Sequence, residues 1–189
     1  MGHLDAQDVR GRGAKEQSPA KPDLAEALLA AWRTTNRVTI FLVRHVPDAI
    51  WEAPIPGVPR KTIGMLAGHL HNARCMWLKT LARPHGIRVP SSVDRRKVSR
   101  RQLIAALNKS SHGMEALLRL GLRRGGRIPA TPAYRWRNLP LDVCHVLTYF
   151  VAHEGHHRGQ IVLAARQLGS RLPTDVIGGL WQWTKRAAE

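Results

Sequence analysis

The chain has 189 residues, 43% of them hydrophobic, and its 30 Lys and Arg residues outweigh 13 acidic residues to give a formal charge of +17. This length and composition allow one domain with a substantial core and exclude a disordered or fibrous protein. Two cysteines, Cys75 and Cys144, are too few for the disulfide framework of a small secreted domain, and no apolar run reaches the roughly 18 residues that a membrane span needs. We therefore expect a cytoplasmic protein with no membrane partner.

Residues 1–22 are rich in glycine, charged and polar residues without hydrophobic periodicity, which predicts a disordered tail. A single domain then spans residues 23–189. Asp23, with Glu26 three residues later, resembles a capping box and begins a first helix that Pro47 ends. The loop that follows is rich in proline and glycine, and its length suggests a crossover to the next helix.

Three further helices are predicted at about 62–81, 99–122 and 140–169. Ser99 and Gln102 form a second capping box, a proline is tolerated in the first turn of the last helix, and a glycine caps its end. Four long helices without a convincing strand pair predict an all-α four-helix bundle. The segment after the fourth helix is expected to pack its indoles, Trp181 and Trp183, back on that bundle.

The fourth helix carries histidines in a stretch that is otherwise apolar, where polar groups are costly to bury unless something compensates them. At about 100° per residue, His157 and Gln160 fall within about 40° of His153 on the inward stripe. On the second helix His69 faces inward, whereas His71 points about 160° away from it. Histidines on facing helices can converge on one ion, so we predict a metal site formed by His69, His153 and His157. The alternative is a set of hydrogen-bonded core histidines without a metal.

The run from His153 to His157 also satisfies His-Glu-x-x-His, the zinc protease motif in which the glutamate activates a metal-bound water. Glu154 lies about 100° round the helix from His153, however, and no third ligand follows in the expected position. A metallohydrolase is therefore the less favoured interpretation.

A basic segment, Asp94 to Arg127, contains ten Lys and Arg residues and only two acidic residues. Clustered cations bind phosphates whatever the sequence, so nucleic-acid binding stays open as an alternative. No recognisable nucleic-acid motif accompanies the segment, and attraction of an anionic small substrate explains the charge equally well. We expect no nucleic-acid partner.

Several short motifs occur in an order and spacing that resemble the DinB/YfiT-like superfamily of bacterial metal-binding four-helix proteins, over roughly residues 23–183. They are Leu66-Ala67-Gly68-His69-Leu70 with Trp77, His153-x-x-x-His157-Arg158-Gly159-Gln160, Leu168-Gly169, Leu172-Pro173 and Gly179-Leu180-Trp181-Gln182-Trp183. The resemblance implies an up-up-down-down bundle with a crossover loop, commonly a homodimer. It also implies one divalent transition metal, zinc or nickel in the first place, bound by His69, His153 and His157 with water in the remaining positions.

Some members of the superfamily are S-transferases that use a low-molecular-weight thiol, and this implies a small thiol and an electrophile as partners. A metal with an open position lowers the pKa of a bound thiol, so no catalytic side chain is needed beyond the metal ligands. Gln160 is then a candidate to hydrogen-bond a ligand or a histidine, Arg158 a surface or dimer-interface group, and Cys75 and Cys144 buried small hydrophobes. A metal-binding, stress-related protein without turnover is the alternative.

Overall fold

The computed structural model describes residues 23–58 and 60–189, so the predicted tail at residues 1–22 lies outside the described residues. The described chain forms four long helices and two short ones, with isolated bridges but no strand among these residues. The helices are α1 (Leu24–His45), α2 (Ile63–Leu81), α3 (Arg100–Arg123), α4 (Val143–Gln167), α5 (Thr174–Gly179) and α6 (Trp183–Ala187). The all-α prediction is confirmed. None of the described helices is long and apolar enough to cross a membrane.

Side-chain caps fix the starts of the long helices. The Asp23 carboxylate accepts backbone N–H bonds at the start of α1, and Ser99 and Gln102 form the complete capping box predicted for α3. The fourth helix begins later than the sequence predicted. Asp142, rather than Pro140, precedes its first turn, and its carboxylate accepts a hydrogen bond from the backbone N–H of His145. The first backbone N–H groups of a helix lack partners inside the helix, and a side-chain oxygen can bind one of them, whereas a proline side chain cannot.

The bundle core has two apolar clusters, one toward each end. One cluster joins the C-terminal half of α1 and of α4 to the N-terminal half of α2 and of α3, and the other joins the opposite halves. It follows that α1 and α4 run in one direction and α2 and α3 in the other. Around the bundle the helices follow in the order α4, α1, α3, α2, and in this spatial order their directions are up, up, down, down. Along the chain, the directions of α1 to α4 are up, down, down, up.

The crossover connection is the segment 82–99, not the proline-rich loop between α1 and α2 as the sequence suggested. The latter joins two helix ends at the same end of the bundle, because α2 is antiparallel to α1. The segment 82–99 instead travels the length of the bundle beside α2. The side-chain amide of Asn72 holds it by one bond to each of the Val93 backbone N–H and carbonyl, and His71 donates to the Ser91 carbonyl at 2.9 Å.

The C-terminal segment packs against α1, but not through its indoles. Its buried residues are Leu172, Val176, Gly179 and Arg186, the last with its guanidinium 4.3 Å from the centre of the Phe41 ring. Trp181 is 80% exposed and Trp183 36% exposed, so the prediction for the two indoles was wrong. The small and aliphatic side chains of the segment face α1, and this turns the indoles outward.

A buried polar network lies between the two apolar clusters and joins all four long helices. Arg74 Nε donates to Glu154 Oε1 at 2.8 Å, and the Thr39 hydroxyl donates to Oε2 at 2.6 Å. Arg74 also donates to the Asn36 side chain and to the Leu107 carbonyl. Burial by itself raises the pKa of Glu154, but the charge and hydrogen bond of Arg74 outweigh it and hold the pKa below its usual value. Glu154 is therefore ionised at neutral pH.

Candidate metal centre

Three histidines from two helices meet on one side of the bundle. His69 of α2 faces His153 and His157 of α4, and one ring nitrogen from each lies within 4.8 Å of the other two. The ring centres are 4.5 Å apart for His153 and His157, 4.6 Å for His69 and His157, and 5.5 Å for His69 and His153. All three side chains are partly exposed. The structure thus brings together the three residues that the sequence selected.

The fold explains this convergence. His153 and His157 lie one turn apart on the same face of α4, and the antiparallel packing of α2 on α4 brings His69 opposite them. Beside His69, Gly68 allows the crossover segment to approach closely, because a Cβ there would lie 3.1 Å from Cγ of Arg95. The crossover segment therefore forms one wall of the site.

The electrostatics favour neutral imidazoles. Burial, followed by the neighbouring charges of His157, His153, Arg95 and Lys61, lowers the pKa of His69 to about 4. The pKa values of His153 and His157 are also lowered, in both cases mainly by burial. At neutral pH each ring keeps a lone pair, which is the form that binds metal ions.

Gln160 orients one of the three rings. Its side-chain oxygen is 2.7 Å from Nδ1 of His157 and can only accept, so Nδ1 carries the proton and the lone pair is on Nε2. The Gln160 amide nitrogen donates to His156 Nε2 at 3.0 Å, which places His156 beside the cluster as a partner of Gln160. Gln160 thus contacts a histidine, as the sequence suggested.

The donor set fits a transition metal with open positions. Two nitrogens that share one ion at about 2.1 Å are at most about 4.2 Å apart, so small ring rotations close the cluster around an ion. His69 and His153 make no hydrogen bond to any described residue, which leaves their nitrogens free for this role. Three imidazoles on a partly exposed face leave further positions to water or a ligand.

Glu154 does not join the cluster. Its carboxylate is fully buried, and its two oxygens are engaged by Arg74 and Thr39. A glutamate held in this way does not reach a metal-bound water. Glu154 therefore cannot be the general base that the metallohydrolase interpretation needs. The inference that Glu154 lies on a different face of the helix from His153 is confirmed.

Arg158, which was expected to be a surface or dimer-interface group, is also held by a contact inside the chain. It is partly buried and donates to the Thr39 hydroxyl oxygen at 2.9 Å, which places it at the edge of the buried network. Burial lowers its pKa, although Glu154 acts in the opposite direction. Arg158 follows Glu154 by four residues, and this spacing could have predicted that they share a face.

The two cysteines differ. Cys75 is 3% exposed, and burial raises the pKa of its thiol to about 11, in keeping with a small buried hydrophobe. Cys144 is exposed in the first turn of α4, so the expectation that it is buried was wrong. Neither thiol belongs to the histidine cluster.

The cations of the basic segment are divided among several roles rather than gathered at one contact. Arg95 stands beside His69, Arg100 pairs with Asp48 at 2.8 Å, and Arg119 pairs with Glu115 at 2.7 Å. Sequence reasoning missed Arg95 and Lys61 as neighbours of the cluster. The position of Arg95 depends on the route of the crossover segment, for which the sequence has no local signal.

A scan against protein families matches the DinB family model over residues 20–186, nearly the whole chain. A search of curated proteins found no match.

Proposed function

The chain belongs to the DinB family, and from this premise we propose that it binds one divalent transition metal and acts as a metal-dependent transferase of a low-molecular-weight thiol. The observation that carries the proposal is the group of three neutral, partly exposed imidazoles from α2 and α4. The homodimeric state that the family resemblance implies and the cytoplasmic location that the cysteine content favours belong to the same proposal.

The chemistry needed is the conversion of a thiol into a thiolate that attacks an electrophile. A divalent metal held by His69, His153 and His157 would supply this by lowering the pKa of a bound thiol. The thiolate sulfur forms a bond to the electrophilic carbon, the leaving group departs with its electron pair, and the thiol proton passes to solvent. The chain itself provides no nucleophile for this step among the residues that surround the cluster.

The surrounding side chains have distinct parts in this scheme. Gln160 holds His157 in one tautomer, which directs the Nε2 lone pair to the cluster. Arg95 and Lys61 place positive charge near His69. Cations at the rim favour a thiolate over a thiol and attract anionic thiols or electrophiles.

Metal content is the first test. Untagged protein is expected to contain about one transition metal per chain by elemental analysis, and the His153→Ala/His157→Ala variant is expected to contain none. His156→Ala is the matched control, because His156 lies on the same helix but outside the cluster. Wild-type protein that neither contains nor takes up zinc or nickel would leave the histidines as core residues and refute the proposal.

Thiol activation is the second test. Protein loaded with Co²⁺ is titrated with cysteine, bacillithiol or mycothiol, and a sulfur-to-metal charge-transfer band is expected. Turnover is followed with monochlorobimane, a fluorogenic electrophile that releases chloride. A protein that binds metal but shows neither signal across these thiols would favour the alternative, a metal-binding protein without turnover.

A further inference from the structure

A groove lies on the outer face of α4, on the side opposite the histidine cluster. Its volume is about 470 Å³, and it runs between α4 and the C-terminal segment 171–183. The α4 side presents Gly155, Gly159 and Leu163, which are spaced four residues apart and so share one face. The groove is therefore separate from the candidate metal centre.

Two glycines of α4, Gly155 and Gly159, leave the floor of the groove without side chains. A Cβ added at Gly159 would meet no heavy atom within 4 Å, and one added at Gly155 would meet only the Arg158 side chain, at 3.8 Å. Glycine inside a helix is destabilising by about 0.5–1 kcal/mol relative to alanine. Neither glycine is required by a close contact inside the chain, so the space above them is open to something else.

The walls of the groove expose large apolar side chains. Leu163 is 56% exposed, Trp181 80% and Trp183 36%, and all three line the same groove. Single exposed apolar residues are ordinary, but several around one concave space mark a binding site. Indoles combine apolar area with few rotatable bonds, which suits them to bind an organic ligand.

The charge of the groove is positive. Arg158, Arg166 and Arg171 line it, and no acidic residue does. Among the described residues, no carboxylate lies within salt-bridge distance of these three guanidinium groups. The buried carboxylate of Glu154 is already engaged by Arg74 and Thr39, while Arg158 donates only to the Thr39 hydroxyl.

From the apolar walls, the arginines that form no salt bridge with any described residue, and the volume, we infer that this groove binds an amphipathic organic anion. The ligand has an aromatic or aliphatic body and one carboxylate or sulfonate group. The body lies along Leu163 and Trp181 above the glycines, and the anionic group lies against the arginines. A volume of about 470 Å³ falls within the range of small-molecule sites.

The probe is 8-anilinonaphthalene-1-sulfonate, with N-phenyl-1-naphthylamine as its uncharged analogue. Wild-type protein is expected to bind the sulfonate at one site per chain, with energy transfer from tryptophan, and decanoate is expected to displace it. Trp181→Ala should weaken binding at least fivefold. Trp136→Ala is the matched control, because Trp136 is also exposed, at 53%, but lies outside the groove.

Gly159 allows the groove to be closed without disturbing the core. Gly159→Leu is expected to fold at least as stably as wild type, because the Cβ has free space and leucine favours helix. It should nevertheless reduce probe binding at least tenfold, whereas Gly159→Ala should leave most of it. Unchanged binding in a folded Gly159→Leu variant would overturn the inference.

Substitution of the arginines tests whether the charge of the ligand contributes to binding. Arg166→Gln/Arg171→Gln should weaken the sulfonate at least fivefold and leave the uncharged analogue unchanged. Equal loss for both probes would show that no anion is recognised, which overturns the inference. So would sedimentation data in which Gly159→Leu dissociates a dimer and the probe binds only monomer, because the groove would then be occupied by a second copy of the chain.

Discussion

Two groups of polar side chains, one inside the bundle and one on its side, differ in where their partners are. The network around Arg74 and Glu154 is fully buried, and both oxygens of its carboxylate are bound by groups of the chain itself. The cluster of His69, His153 and His157 is partly exposed, and Gln160 is its one hydrogen-bond partner among the described residues. The comparison suggests that the first group holds the fold and that the second receives a ligand from outside.

The largest expected effect tests the network. Glu154→Gln leaves the Arg74 guanidinium buried without its counterion, and we expect a loss of about 3–5 kcal/mol in the free energy of unfolding, measured with denaturant. The double variant Arg74→Met/Glu154→Leu should recover most of that loss, because it removes both charges. A Glu154→Gln variant that is fully stable but has lost its metal would instead place Glu154 in the functional site.

Removing a side chain from the histidine cluster should change the stability of the protein much less than a substitution in the buried network does. In the metal-free protein His157→Ala should alter the free energy of unfolding by less than about 1 kcal/mol, since it leaves no buried charge behind. A loss as large as that of Glu154→Gln would mean that the histidines are structural, and the distinction between the two groups would fail.

An effect smaller than that of Glu154→Gln is expected on metal affinity at the contact between Gln160 and His157. Gln160→Ala removes the acceptor that fixes the tautomer of the ring, and we expect metal affinity to fall about tenfold in competition with a chelator. His156→Ala, which removes the other partner of Gln160, should change the affinity much less. Equal effects of the two variants would show that the orientation of His157 does not depend on this contact.

The most gradual expected effect is a pH dependence of the metal-free protein. His69 has a pKa of about 4 in the folded state against 6.5 as its ordinary value, so the unfolded chain binds more protons between these pH values. Stability should therefore fall as the pH is lowered from about 6.5 toward 4, with the contribution of His69 fully present above this range. Denaturant unfolding at several pH values in the presence of chelator measures it, and His69→Gln should make the slope shallower. A slope that does not change in His69→Gln would contradict the burial of His69 as its cause.

Local sequence signals predicted the helices and the histidine cluster. Caps such as Ser99 with Gln102 act over a single turn, and the spacing of His153 and His157 fixes their shared face, so both could be seen without the fold. The pairing of Arg74 with Glu154 depends on the relative axial position of α2 and α4. The position of Arg95 depends on the route of the crossover segment. These are properties of the assembled bundle. The exposure of Trp181 likewise depends on which side of the C-terminal segment meets α1.

The crossover segment has a consequence for the folding pathway. Helices that follow one another in most bundles pack as hairpins, but here the strongest packing is of α1 on α3 and of α2 on α3 and α4, while α1 and α2 hardly touch. Two of these three pairs, α1 on α3 and α2 on α4, join helices that are not consecutive, and the third needs the crossover segment to span the bundle, so the contacts form only after long segments have closed. A bundle without local helix hairpins is expected to fold more slowly than a simple up-and-down bundle of equal length, with the four long helices assembling together rather than one hairpin at a time.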